Sequence, residues 1–164
     1  ADRATELTAG IKGVRLLRVN YVGELGWEIH SPVAETAKVW DAVMAAGKPQ
    51  GLRPFGMFAL NSLRIEKGYR AWKGDLSTDY TVLQGGLDRF VDWSKPAFRG
   101  KAALEAERQR GVTKRFVTLK VQAGADDPPY MSTLWHDGQV VGETTSGYWG
   151  HRVEACLALG GETS

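Results

Sequence analysis

The sequence contains few of the residues that build disulfides, metal sites or membrane spans. It has one cysteine, Cys156, and three histidines among 164 residues. A single thiol excludes an internal disulfide and a zinc site made of several thiolates. Apolar runs stay well short of the roughly 18 residues that a membrane-spanning helix needs. The sequence therefore predicts no metal site and no contact with a membrane.

Net charge is also small. Lys and Arg number 21 against 19 Asp and Glu, a net charge of +2 with the signs interspersed. So small a surplus does not make a basic surface for a polyanion, and we expect no nucleic-acid partner. Glycine and tryptophan, by contrast, are frequent, at 20 and six residues. They indicate many turns and large flat apolar surfaces, in a core or around a flat ligand.

Hydrophobic periodicity predicts an α+β chain with a boundary near residue 111. Alternating strands over 14–19 and 25–30 indicate a hairpin, followed by helices over 31–47 and 54–68, a strand over 86–93 and a helix over 102–110. Only strands follow: 115–121, a hairpin turning at Asp137-Gly138, and 155–159. We predict a mixed domain, 1–111, and a small all-β domain, 112–164. The helix that begins at Pro54 has apolar residues around most of its circumference and is predicted to be buried on several sides.

The usual catalytic patterns are missing from the sequence. It has no glycine-rich loop that ends in Lys-Ser or Lys-Thr, and its histidines lack the spacing of metal ligands. Cys156 lies in an apolar run, so we predict a buried, unreactive thiol.

Glu28 is the more informative residue. Alternation places it on the face of Gly26 and His30, opposite the face of Leu25, Trp27 and Ile29. We interpret Gly26 as leaving room beside a recessed carboxylate, which would accept two N–H donors from an amidine-like or aminopyrimidine edge. Flat walls for such a ring are available from Tyr21, Tyr69 and Trp72. The alternative is a solvated glutamate on an exposed strand, the common situation for a charged side chain.

The segment 68–75 allows two interpretations. Its aromatic residues, cations and glycines are typical of a ligand-contacting loop. They are equally compatible with a helix C-terminus, where Arg70 and Lys73 suit the helix dipole and the aromatic residues cover the core.

Four segments of the sequence resemble one family. YVGELGWEIH at 21–30 resembles a signature of the tetrahydrofolate-dependent aminomethyltransferases, the glycine cleavage T-protein superfamily. SLRIEKGYRAW at 62–72, with GDL at 74–76, resembles a run typical of its sarcosine and dimethylglycine dehydrogenase branch. FRGKAAL at 98–104 and TSGYWGH at 145–151 are similar to two later family segments. The four resemblances occur in family order along nearly the whole chain.

The resemblance implies a fold and a function. The fold would be the C-terminal part of an aminomethyltransferase-like folate-binding domain, followed by a small antiparallel β-barrel-like domain. Glu28 would bind the pterin of tetrahydrofolate and Tyr21 would line the same cavity. The protein would capture the one-carbon unit of an oxidised methylated amine as 5,10-methylenetetrahydrofolate. FAD would be bound by an upstream flavin domain of the same polypeptide, and the location would be the cytoplasm, or the mitochondrial matrix in a eukaryote.

Departures from the family pattern qualify these expectations. The family's essential Asp belongs to an N-terminal portion outside this chain, so we expect no catalytic residue here and interpret the chain as an inactive C-terminal fragment that binds folate weakly. Leu60 replaces an Arg of the T-proteins, which favours the dehydrogenase branch, and Asn61 replaces a common Asp. Two alternatives stay open: a folate-dependent demethylase or aminomethyltransferase without a flavin domain, and a non-enzymatic folate-binding assembly factor. The assembly factors carry Lys-Gly-Cys where this chain has Lys67-Gly68-Tyr69.

Overall fold

The computed structural model describes residues 11–124 and 126–163, together with the backbone of a short strand at Thr5–Glu6. The chain divides into two compact units, Ala1–Arg64 and Ile65–Ser164. The division near residue 111 into a mixed and an all-β domain stays a prediction. None of the described helices is both long and apolar enough to cross a bilayer.

The first unit contains a small antiparallel sheet of three strands, β1 (Thr5–Glu6), β2 (Arg15–Leu17) and β3 (Glu28–His30), in the order β1-β2-β3. The pairing of β2 with β3 confirms the predicted hairpin. Its connection is held locally, since Asn20 Oδ1 accepts a hydrogen bond from Gly23 N at 3.0 Å. Gly23 has φ +73°, a conformation that glycine adopts without steric cost.

Two α-helices follow the hairpin. A 3₁₀ turn at Val33–Glu35 leads into α1 (Thr36–Gly47), and a second turn at Lys48–Gln50 comes before α2 (Met57–Glu66). Both predicted helices are present, with later starts than expected. Helix α2 is buried only in its second half, where Ser62, Arg64 and Ile65 lie, whereas Met57 and Phe58 at its start are 67% and 85% exposed. The prediction of burial on several sides is wrong for that first turn.

The second unit consists of α3 (Lys101–Arg110) and a four-stranded antiparallel sheet. Its strands are β4 (Lys114–Val121), β5 (Thr133–His136), β6 (Gln139–Gly150) and β7 (Ala155–Thr163), in the order β4-β7-β6-β5. The predicted hairpin turn is confirmed: Asp137 and Gly138 both have positive φ, as a type I′ turn requires. A buried cluster joins the sheet to the end of α2 and contains Ile65, Phe116, Ala155, Leu157 and Leu159.

The strand predicted over 86–93 is wrong. Gly86 has φ +63°, and a 3₁₀ turn occupies Asp88–Phe90. Leu87 N donates to Val82 O, and Phe90 N donates to Leu87 O, both at 2.9 Å. Because these backbone groups bond within the segment, they are not used for pairing with a neighbouring strand.

Candidate functional site

The hairpin β2–β3 carries Glu28 and His30 on one face of the first unit. Glu28 lies opposite Leu17, and His30 lies opposite Arg15. Glu28 Oε2 lies 3.1 Å from His30 Nε2, and the two side chains are 54% and 55% exposed. A carboxylate has about four acceptor positions. Within the described part of the chain, the imidazole is the one hydrogen-bonding partner of this carboxylate, so further N–H donors can be accepted.

Gly26 does not leave an open recess beside Glu28, as the sequence had led us to expect. A Cβ at Gly26 would stand 3.0 Å from Asn20 Cβ and 3.1 Å from Val19 O. The glycine is needed because the turn backbone approaches closely at this point.

Two contacts of Arg18 hold the beginning of the second hairpin arm. Its Nη1 donates to Gly26 O at 3.3 Å, and its guanidinium carbon lies 5.3 Å from the centre of the Trp27 ring. Trp27 is nevertheless 50% exposed, Leu25 is 77% exposed and Ile29 is 40% exposed. Tyr21, in the turn, is half-buried. The hairpin thus presents an accessible carboxylate together with an exposed apolar face.

The other two predicted contact residues, Tyr69 and Trp72, lie in the second unit, directly after α2. Tyr69 is half-buried and Trp72 is 74% exposed. The segment is a closed loop, because Lys73 N donates to Leu76 O at 2.7 Å and Asp75 N donates to Ala71 O at 2.9 Å. Residues 69–76 thus form an ordered loop after α2 in which Trp72 is exposed and does not cover the core, and ligand contact by this loop stays a prediction.

Asp75 is the residue that sequence reasoning missed. Its side chain is completely buried and accepts hydrogen bonds at 2.6 Å from Ala71 N, Thr145 Oγ1 and Ser146 Oγ. Two of the family-like segments, GDL and TSG, therefore meet at one carboxylate. The available signal was an acidic residue beside glycine in one segment and adjacent hydroxyls in another, but their contact spans about 70 residues of sequence.

Arg70 is one of two cations in this loop, beside Lys73. Its Nη1 donates to Gly68 O at 3.1 Å, and its guanidinium carbon lies 5.0 Å from the centre of the Phe116 ring. Burial lowers the pKa of Arg70, and the neighbouring charge of Arg89 lowers that pKa further, while Asp75 opposes the shift. The side chain therefore packs as part of the second unit, and its contacts support the fold of the loop.

The remaining candidate residues have no visible chemical role. Cys156 is buried in β7, as predicted, and its Sγ lies 3.3 Å from Asp126 O. Over residues 11–124 and 126–163, no group of three or more His, Cys, Asp or Glu side chains could hold a metal ion.

Comparison with known proteins links both segments to one family. The family model described as the GCVT N-terminal domain matches residues 3–95, and the model of the glycine cleavage T-protein C-terminal barrel domain matches residues 114–161. The crystal structure of the glycine cleavage system aminomethyltransferase T from Bartonella henselae is similar in fold, with a TM-score of 0.82 and 25% identity. That similarity covers 93% of this chain and 42% of the solved one.

Curated relatives include both dehydrogenases and aminomethyltransferases. Mitochondrial dimethylglycine dehydrogenase of Mus musculus is 40% identical over 147 residues, and mitochondrial sarcosine dehydrogenase of Homo sapiens is 40% identical over 150. An aminomethyltransferase of Thermosynechococcus vestitus is 34% identical over 145 residues. The matches cover 89%, 90% and 88% of this chain, but only 17%, 16% and 38% of the respective relatives.

Proposed function

Because the chain belongs to the glycine cleavage T-protein (aminomethyltransferase) superfamily, we propose that it is the tetrahydrofolate-binding, one-carbon transfer region of an enzyme related to sarcosine and dimethylglycine dehydrogenases. Its identity to those two dehydrogenases, 40%, exceeds the 34% to the aminomethyltransferase. The observation that carries the assignment is an accessible carboxylate, Glu28, on the hairpin that bears the family-like segment.

The donors and acceptors of the hairpin fit a pterin. An aminopyrimidine edge presents adjacent N–H groups, and a carboxylate is the acceptor that binds such a pair most strongly. Glu28 uses one acceptor position on His30. Tyr21, half-buried in the turn of the same hairpin, supplies aromatic surface. These groups match what a flat, hydrogen-bonding heterocycle requires.

The chain's task is to hold and orient the ligand. When bound, tetrahydrofolate would supply the nitrogen nucleophiles that take the one-carbon unit from an iminium as 5,10-methylenetetrahydrofolate, with the demethylated amine as the leaving group. Glu28 binds the pterin edge and thereby limits its rotation. Tyr21 packs against the ring, and Tyr69 and Trp72 of the second unit are further proposed folate contacts. The half-buried Tyr21 gives the pterin apolar cover against water.

The larger assignments extend beyond this chain. We propose that FAD is bound by a flavin domain upstream in the same polypeptide, and that the substrate is a small methylated amine. We also propose a location in the cytoplasm, or in the mitochondrial matrix of a eukaryote; the names of both dehydrogenases describe those relatives as mitochondrial. No catalytic residue is assigned within this chain.

Replacement of Glu28 by Gln tests the site. We expect tetrahydrofolate binding to the full-length protein to weaken at least about tenfold, because a charge-assisted hydrogen bond is worth roughly 1.5–3 kcal/mol. Asp41→Asn is the matched control. It removes an exposed carboxylate that makes no hydrogen bond or ion pair with the described residues of the same unit. Titration calorimetry measures both variants. Equal affinities of E28Q and the wild type would reject the site.

An aminomethyltransferase without a flavin domain is the second candidate, favoured by the 34% identity to such an enzyme. The upstream coding sequence separates the two candidates. A dinucleotide-binding glycine fingerprint there supports the flavoenzyme. Its absence, together with a failure of the full-length protein to oxidise sarcosine or dimethylglycine, would favour the aminomethyltransferase.

A further inference from the structure

We propose that Asp75 is a positioning residue, which holds Trp72 in the exposed orientation used for folate contact. A bulge in β6 serves this purpose, because it directs two hydroxyls to the Asp75 carboxylate. The inference rests on the proposed function for the role of Trp72. It adds a set of hydrogen bonds that join the loop at 69–76 to the sheet of the second unit.

The bulge explains how adjacent side chains reach one acceptor. In a regular strand, neighbouring residues point to opposite faces. In β6 the pairing with β7 shifts between Thr144, opposite Gly160, and Ser146, opposite Leu159. Thr145 is the extra residue at that shift, and both Thr145 Oγ1 and Ser146 Oγ donate to Asp75 Oδ1 at 2.6 Å. Bulges commonly redirect a side chain next to a functional site.

The second oxygen of the carboxylate fixes the loop backbone. Asp75 Oδ2 accepts a hydrogen bond from Ala71 N, the residue directly before Trp72. The loop is closed on its other side by the bond from Lys73 N to Leu76 O, and Lys73 has φ +68°. A non-glycine residue in this conformation persists where surrounding contacts determine it. Asp75 therefore restrains the backbone on which Trp72 is mounted.

The exposure of Trp72 distinguishes positioning from simple anchoring. A large aromatic side chain that is 74% exposed adds little to the stability of the loop, because it buries little apolar surface. Tryptophan loses little conformational entropy when its backbone is already restrained, so a pre-ordered, exposed indole is suited to stack on a flat ligand. The buried Asp75 carboxylate and the exposed Trp72 ring therefore belong to one restrained loop.

Fluorine NMR tests the positioning without any ligand. With 5-fluorotryptophan in the full-length protein, the Trp72 resonance is identified by its loss in Trp72→Phe. We expect Asp75→Asn and Thr145→Val to shift or broaden that resonance, while the control Asp79→Asn, a nearby exposed carboxylate that bonds Ser77, leaves it unchanged. An unchanged Trp72 resonance in D75N and T145V overturns the proposal. If D75N does not fold, T145V and Ser146→Ala decide, because they keep the carboxylate.

A double-mutant cycle tests the link to the ligand. Trp72→Ala should weaken tetrahydrofolate binding about two- to tenfold, the value of one aromatic contact. We expect D75N to weaken binding by no more than this and to have almost no effect in the W72A background. An equal loss in both backgrounds would show a merely structural role and overturn the inference. A wild type that binds no tetrahydrofolate would reject the proposed function, while the fluorine spectra still decide the positioning.

Discussion

The sheet at 114–163 and the hairpin at 15–30 are both antiparallel, yet they bury apolar side chains to opposite extents. In β7, all residues from Ala155 to Leu159 are buried, whereas Leu25, Trp27 and Ile29 of the hairpin are exposed. A sheet of four strands with long registers can bury a face, while two strands of three residues cannot. Stability is therefore concentrated in the sheet, and the proposed pterin contact lies on the sparsely covered hairpin.

The largest expected difference in unfolding free energy is between alanine substitutions of two leucines. Leu159→Ala should lower the free energy of unfolding by about 2–5 kcal/mol, because it opens a cavity beside Ile65 and Phe116. Leu25→Ala, at a side chain that is 77% exposed, should change it by about 0.5 kcal/mol or less. Urea denaturation of the chain measures both. Comparable losses would show that the hairpin is buried as deeply as the sheet.

A smaller difference is expected for two glycines. A Cβ at Gly142 would overlap the carbonyl oxygen of Gly161 in the neighbouring strand, so Gly142→Ala should destabilise the chain by about 1–3 kcal/mol. A Cβ at Gly56 meets no described atom within 4 Å. Gly56→Ala should therefore stay within about 0.5 kcal/mol of the wild type. Thermal unfolding checks this pair, and a tolerated alanine at 142 would contradict the close strand approach.

The smallest expected loss of unfolding free energy is the same in the hairpin of the first unit and in the sheet of the second unit. Gly23 and Gly138 lie in the two hairpin turns with φ of +73° and +76°. Alanine in the left-handed region costs about 1 kcal/mol, and this cost depends on the backbone alone. Each Gly→Ala variant should lose about that amount in urea denaturation. A loss at Gly138 without one at Gly23 would show that the hairpin of the first unit adds little to the measured unfolding transition.

Local patterns predicted the elements where local interactions decide the conformation. The Asp137-Gly138 turn, the strand at 114–121 and helix α3 with Gly111 after it follow from residue preferences that act over a few positions. The strand prediction over 86–93 failed because the apolar residues there resemble a strand, whereas Gly86 and local backbone hydrogen bonds turn the chain. The resemblance to the family rested on four short segments in family order and was confirmed by the family models.

By itself, the sequence determined the family, the α+β class and the presence of a carboxylate at position 28, because these depend on residue identity and order. Only the tertiary structure decided that Gly26 makes room for a turn and that the indole of residue 72 is displayed on a restrained loop. It also brought Asp75 to the hydroxyls at 145 and 146. The reason is physical: contacts across 70 residues of chain depend on strand register and on one bulge, and neither is encoded in the spacing of nearby residues.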